Sequence, residues 1–466
     1  MELTSLYYLV FITITLIIFN LISNKIKPTI LIISSLLFIG LFSIDTLFVF
    51  LFGTLSTHFI TTKMIRISNS LEKKMVFRIG LIFNISLLFI FKFIESNYHI
   101  VSFFDANKMI LFVGISFFSL QNIAYLIDNY YNRIKPSNLS EFILFNSFFP
   151  KFIAGPITKI QDFKFDKAIP INSVQIQNGI NRIALGLLKK MVIADRIAPI
   201  IAHNFEETNP TFGLTNLVVA YLFTIQLYFD FSGYSDIAIG SAKLFGIQLP
   251  ENFNFPLNSK SIGEFWRKWH ITLSSWLTNY VFYPISFRYR KLKYWGIVTA
   301  LTITFLLSGI WHGIGLTFLI YALSHALYLI IETFIKKPKI LILNRLTSLI
   351  SIFLTFNLVS LSFVFFRATS IEQSFHKLKS IFSFSFFPKQ LVTDFTQYIA
   401  IGGEQENIFN LYVTIILTAL FLIFEKRIYN RFNSNQINIV GLIILLLIIS
   451  FFGIFDGSKN FIYSQF

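Results

Sequence analysis

The chain reads as an all-α, multi-pass membrane protein, and three features of its 466 residues carry that reading. Hydrophobic residues make up 55% of the chain and charged residues only 13%, against about 25% charged in an ordinary soluble domain. Mean hydropathy is +0.67. Apolar runs long enough for a bilayer core, about 20 helical residues, recur from Leu3 almost to the C-terminus. A soluble domain is excluded. The chain has no cysteine, which excludes disulfides, thiolate nucleophiles, cysteine metal sites and palmitoylation but leaves the redox compartment open. The formal charge of +16 sits mainly in short loops between apolar runs, where Lys and Arg set topology and meet anionic membrane lipids. It is not gathered on a polar domain that could hold nucleic acid.

Taken in order, residues 3–22 form a first span that lacks the basic start and small-residue cleavage site of a signal peptide. Residues 29–60 are too long for one pass and contain Ser43 and Asp45, so they read as two short spans turning near Asp45. Lys25 and Lys27 precede this hairpin and Lys63, Arg66, Lys73, Lys74 and Arg78 follow it; the positive-inside rule then puts the N-terminus outside. A span at 76–94 leads to an acidic loop at 95–105, which suits an external position, and a further span covers 110–127. Residues 141–160 contain Pro150, Gly155 and Pro156, which break a helix and leave backbone groups to be satisfied inside the protein, so a re-entrant or broken helix is expected. Residues 180–201 are interrupted by Lys189 and Lys190 and are expected to lie partly at the cytoplasmic surface. Further spans cover 214–229, 295–311, 313–331, 346–366, 408–424 and 437–454, with a polar loop or cap at 383–405. No fixed-period repeat is visible.

Between Gln226 and Pro284 the character changes. Asp230-Phe231-Ser232-Gly233-Tyr234-Ser235-Asp236 brings two carboxylates and several hydroxyls directly after an apolar run, and polar groups at membrane depth are expensive unless they pair or line a cavity. Residues 249–256 hold two prolines and read as a loop. Then Trp266, Trp269, Leu273, Trp276 and Tyr280 recur at the period of one amphipathic helix, with Arg267, Lys268, Ser274 and Ser275 on the remainder. His270 falls on or beside the aromatic face. Two readings stand: a helix presenting His270 inward, or an interfacial helix whose aromatic rings sit at headgroup depth.

Ser308-Gly309-Ile310-Trp311-His312-Gly313 places a second histidine between two long apolar runs. It is either functional or a neutral imidazole bonded between helices. Of the histidines at 58, 99, 203, 270, 312, 325 and 376, only His270, His312 and His325 lie in the part of the chain whose polar residues suggest a cavity. His270 and His312 are 42 residues apart, enough for a helix, a turn and a span. The chain carries no HExxH metal pattern, GxSxG elbow or P-loop, so no metal site is assigned.

Read together and in this order, several segments resemble the membrane-bound O-acyltransferases, in particular the bacterial branch that acetylates alginate and other surface polysaccharides. They are Phe148 to Ile157 with its Ala-Gly-Pro-Ile, the Asp230 to Asp236 run, Asn252-Phe253-Asn254-Phe255-Pro256, Phe265-Trp266-Arg267-Lys268-Trp269-His270, Trp311-His312-Gly313 and Val364-Phe365-Phe366-Arg367-Ala368. The resemblance implies about 11–13 helices, re-entrant and interfacial ones included, around a central tunnel. It implies a single multi-pass domain with N-terminal spans at 1–107, a catalytic core at 108–372, and a polar loop with C-terminal spans at 373–466.

His312 matches the family's invariant catalytic histidine and His270 its second functional one; His325 falls where relatives tend to carry a histidine. The expected base is His312, with His270 orienting the donor or stabilising the oxyanion, a role also open to backbone donors or Trp311. Trp266, Arg267, Lys268, Trp269, Ser308, Trp311, Asp230 and Asp236 become candidates for the tunnel or donor site. The implied donor is cytoplasmic acetyl-CoA, the acceptor a polysaccharide hydroxyl, and the partner a periplasmic or extracellular acetyltransferase, in a bacterial cytoplasmic membrane. After Pro284 this chain has Ile285 to Lys291 where alginate relatives often carry Gly-Gly-Asn, so the donor-side or partner-side loop differs. D-alanyl transfer from a carrier protein toward teichoic acid is the nearest alternative, and a secondary transporter the alternative from another class.

Overall fold

The computed structural model describes residues 2–96, 114–165, 172–206, 213–335, 345–383, 405–433 and 439–455. Among these every regular element is a helix. Six helices are long and apolar enough to cross a membrane: Ile44–Arg66, Ser70–Ile94, Gly213–Leu244, Tyr294–His312, Leu316–Phe334 and Leu346–Arg367; Leu6–Leu21, Lys27–Phe42 and Ile439–Phe452 are shorter apolar helices. The protein is a multi-pass membrane protein. The chain divides into two compact units, one of residues 1–183 and 234–251, the other of 184–233 and 252–466.

The first unit holds α1 (Leu6–Leu21), α2 (Lys27–Phe42), α3 (Ile44–Arg66), α4 (Ser70–Ser96), α5 (Ile115–Tyr130), α6 (Leu139–Ser147) and α7 (Phe149–Phe152). The expected hairpin is present. Ser43 ends α2 and caps α3, its Oγ accepting the Thr46 N–H at 3.1 Å, while Asp45 sits in the first turn of α3, where the helix dipole favours a carboxylate. The break expected at 141–160 is also present: α6 stops at Ser147 and Pro150 opens the four-residue α7. The Phe149 N–H at this break donates to the buried Ser35 Oγ at 3.1 Å, which meets the requirement that every backbone donor be satisfied away from water. Residues 97–105 of the loop expected at 95–105, the first residues of the 110–127 span and residues 384–404 of the polar excursion expected at 383–405 lie outside the described residues.

The second unit begins with the end of α8 (Ser173–Leu187), then a π-helical segment (Leu188–Ala194) and α9 (Asp195–Glu206). Lys189 and Lys190, which interrupt the 180–201 run, are both buried. Lys190 Nζ lies 2.7 Å from Asp195 and 2.5 Å from Asp230, so carboxylates inside the fold replace the water that an interface would supply. Lys189 faces the rings of Tyr228 and Phe421. Asp230 comes from α10 (Gly213–Leu244), which continues past the expected end at 229. Gly233 permits this packing: a Cβ there would lie 2.8 Å from the Gly186 carbonyl.

After a loop and a 3₁₀ turn at Pro256–Asn258 come α11 (Ile262–Lys268), α12 (Ile271–Leu277), a second π segment (Thr278–Phe282) and α13 (Tyr283–Arg288). The single amphipathic helix expected across residues 261–277 is in fact two helices, broken at Trp269 and His270. His270 has φ 41 and ψ 54, a left-handed conformation uncommon outside glycine. The break is held by backbone bonds to an earlier segment: Asn254 N–H to the Lys268 carbonyl and Ile271 N–H to the Asn252 carbonyl, both 2.9 Å. Then follow α14 (Tyr294–His312), α15 (Leu316–Phe334), α16 (Arg345–Arg367), α17 (Ile371–Phe382), α18 (Gln405–Asn433) and α19 (Ile439–Phe452).

Candidate active site

The second unit brings two buried histidines to one tryptophan. His312 is the last residue of α14 and 4% exposed. Its position depends on the tight pairing of α14 with α15, where Gly309 faces the Phe318 carbonyl and Ala322; a Cβ there would sit 2.8 Å from both. The His312 ring lies 4.8 Å from Trp311, 5.2 Å from Phe366 and 6.1 Å from Tyr321, centroid to centroid. Ser308, one turn earlier on the same helix, is buried as well.

His270 is 1% exposed. Its ring meets Phe231 edge-on at 4.7 Å and Trp311 at 6.0 Å. The Trp311 indole therefore contacts both imidazoles. His270 Nδ1 lies 3.0 Å from Asn252 Oδ1, and the same oxygen receives the Thr272 N–H at 3.3 Å and the Thr272 hydroxyl at 2.9 Å. A backbone N–H can only donate, so this atom of Asn252 is the carbonyl oxygen and Nδ1 must carry the imidazole proton. The lone pair of the neutral ring then resides on Nε2. Burial pushes the His270 imidazole down to about 3, and the ring stays neutral at physiological pH.

Of the other residues singled out in the sequence, Trp269 is buried at the break, stacked on Phe265 at 5.3 Å and edge-on to Phe253 at 5.2 Å. Trp266 donates its indole N–H to His325 Nδ1 at 3.3 Å. Lys268 pairs with Glu264 at 2.7 Å, and Arg267 is exposed. Asp230 is held by Lys190, while the next residue, Phe231, touches His270. Asp236 belongs to the first unit, where Arg182 bridges it and Glu251 at 2.6 Å each. The structure thus brings His270, His312, Trp311, Trp269 and Trp266 together in one unit and gives Asp230 and Asp236 cationic partners.

Asn252 and Phe231 escaped the sequence reading. Both lie in segments that the reading had marked, but nothing in their spacing pairs them with His270. Among the described residues no group of three His, Cys, Asp or Glu side chains could hold a metal ion.

A family model described as MBOAT, membrane-bound O-acyltransferase family, matches residues 102–338. The chain is 30% identical to the peptidoglycan O-acetyltransferase of Helicobacter pylori, over 94% of this chain and 91% of that protein. It is 32% identical to the "Probable alginate O-acetylase AlgI" of Pseudomonas aeruginosa, over 82% of this chain and 74% of that protein. It is also 32% identical to the teichoic acid D-alanyltransferase of Bacillus subtilis, over 56% of this chain and 69% of that protein.

Proposed function

Since this chain belongs to the membrane-bound O-acyltransferase family and is an O-acyltransferase, we propose that it moves an acetyl group from cytoplasmic acetyl-CoA across the membrane to a hydroxyl of a cell-surface or exported polysaccharide. The observation that carries the reading is the pair of buried imidazoles that both contact Trp311. The relatives named as acetylating peptidoglycan and alginate support an acetyl group and a polysaccharide acceptor.

In this proposal His312 takes the proton of the acceptor hydroxyl as its oxygen attacks the thioester carbonyl. The tetrahedral intermediate then collapses, the carbon–sulfur bond breaks, and the CoA thiolate leaves with the proton that His312 returns. His270, whose Nδ1–H is committed to Asn252, offers a hydrogen-bond acceptor at Nε2; that suits orienting a donating group better than stabilising an oxyanion, which needs a donor. The aromatic surroundings of both rings would exclude water and limit thioester hydrolysis. Residues 108–372 form the catalytic core, with a tunnel through which donor and acceptor meet. Arg288, Arg290, Lys291 and Lys293, all exposed, attract the anionic donor on the cytoplasmic side, with the N-terminus outside the bacterial inner membrane. A periplasmic or extracellular acetyltransferase is the partner on the acceptor side.

The test is covalent transfer. Purified protein in liposomes, given acetyl-CoA labelled in the acetyl group and an acceptor extract, fixes label in the polymer; a transporter would only carry label across the bilayer. The B. subtilis relative favours one second reading, D-alanyl transfer. Mass analysis of the group released from the polymer by mild base separates the two.

A further inference from the structure

His325 occupies α15 with no exposure to solvent, and its Nδ1 receives the Trp266 indole N–H from α11. An indole nitrogen only donates, so the His325 ring is neutral with its proton on Nε2. That N–H has no hydrogen-bond partner among the described residues. A buried donor left unpaired destabilises a fold, so packing alone gives no reason for an imidazole at this position. What the ring does supply is an acceptor facing α11. Phe265 of α11 stacks parallel to it at 6.3 Å. On its own helix, one turn earlier, Tyr321 lies edge-on at 4.9 Å, and the same Tyr321 ring is edge-on to His312 at 6.1 Å. The two helices are tied a second time, by the Gly263 N–H to Glu332 Oε2 at 2.9 Å. Helix α11 runs directly into the break that carries His270, and α15 packs on α14, which carries His312.

We infer that His325 is a positioning residue: by accepting the Trp266 N–H it fixes α11, and through it His270, in register with the helix pair that presents His312. The inference rests on the proposed roles of His312 and His270. It predicts that the acceptor atom matters and the imidazole chemistry does not.

Four variants test it: His325→Leu, Trp266→Phe, the two combined, and His325→Asn, whose carboxamide oxygen can accept the same N–H. Two readouts are taken. The first is kcat and KM for acetyl-CoA, measured as label fixed by membranes. The second is the set of indole ¹H–¹⁵N signals of ¹⁵N-tryptophan-labelled protein in nanodiscs, which has five tryptophans. Each of the first two variants lowers kcat about tenfold to a hundredfold with KM unchanged, the scale of a misplaced reacting group. The double variant loses no more than the worse single, because both remove one bond, and His325→Asn recovers most of kcat. The Trp266 indole signal moves in His325→Leu and returns in His325→Asn. Losses that multiply in the double variant, or an indole signal unmoved by His325→Leu, overturn the inference. The indole signal reads the bond without turnover, so failure here is separate from failure of the His312 assignment, which His312→Ala tests.

Discussion

The Trp311 indole lies edge-on to the His270 imidazole with ring centroids 6.0 Å apart, and its sequence neighbour His312 is on its other contact at 4.8 Å. One indole thus contacts two buried imidazoles, one at the break between α11 and α12 and one at the end of α14.

If His312 is the base, His312→Ala lowers acetyl fixation by about 10²–10⁴-fold, the usual contribution of a positioned general base. His312→Gln, which keeps polar bulk but cannot take the proton, loses as much. Both variants should elute as the parent does on size exclusion in detergent. Membranes of His312→Ala that fix label at the parental rate would sink the assignment.

Asn252 sets the tautomer of His270. Asn252→Asp places a carboxylate beside Nδ1–H and raises the imidazole from its depressed value near 3. The working form of the ring is neutral, so activity is lost as pH falls through that value. The acid limb of the pH–rate profile therefore moves toward neutral pH in Asn252→Asp. An unmoved limb argues that His270 does not titrate in the reaction.

The same burial makes stability depend on pH. An unfolded histidine takes its proton near 6.5, whereas folded His270 does so only near 3. Between these values the unfolded chain binds more protons, so this stabilisation is whole above about 6.5 and is lost as pH falls toward 3. Replacing the ring, as in His270→Gln, flattens the fall in melting temperature across that window. Equal slopes for parent and variant would contradict the burial argument.

Lys190 neutralises two buried carboxylates. Lys190→Met removes the cation that both carboxylates share and costs about 3–5 kcal/mol, read as a lowered melting temperature and yield in detergent. Adding Asp230→Asn and Asp195→Asn restores much of the loss. If the single variant melts with the parent, the triad is not a structural ion cluster.

Neutralising Arg288, Arg290, Lys291 and Lys293 together, all exposed, raises KM for acetyl-CoA and flattens its salt dependence, because exposed charges act over about a Debye length and are screened by salt. The kcat stays near the parental value. An unchanged KM at low salt places donor attraction elsewhere.

Spans that announce themselves by length and hydropathy were legible: the α2–α3 turn near Asp45 and the α14–α15 pair around His312 lie where composition puts them. The helix break at Trp269 and His270 was not, because Trp266, Trp269 and Leu273 keep helical spacing straight through it. What ends the helix is a pair of backbone bonds from Asn252 and Asn254, and periodicity carries no trace of a partner. The pairing of Lys190 was hidden for a related reason: Asp230 lies 230 − 190 = 40 residues further along the chain. His270, His312 and Trp311 were visible as candidates; that the Trp311 ring contacts both imidazoles needed the structure.

The link between Asn252 and His270 closes a loop of only 18 residues. Loop closure over so short a stretch carries a small entropic cost, and every atom that fixes the His270 tautomer is translated before α14 begins. This half of the site is set by contacts local in sequence, whereas the approach of Trp311 to the same imidazole spans 311 − 270 = 41 residues.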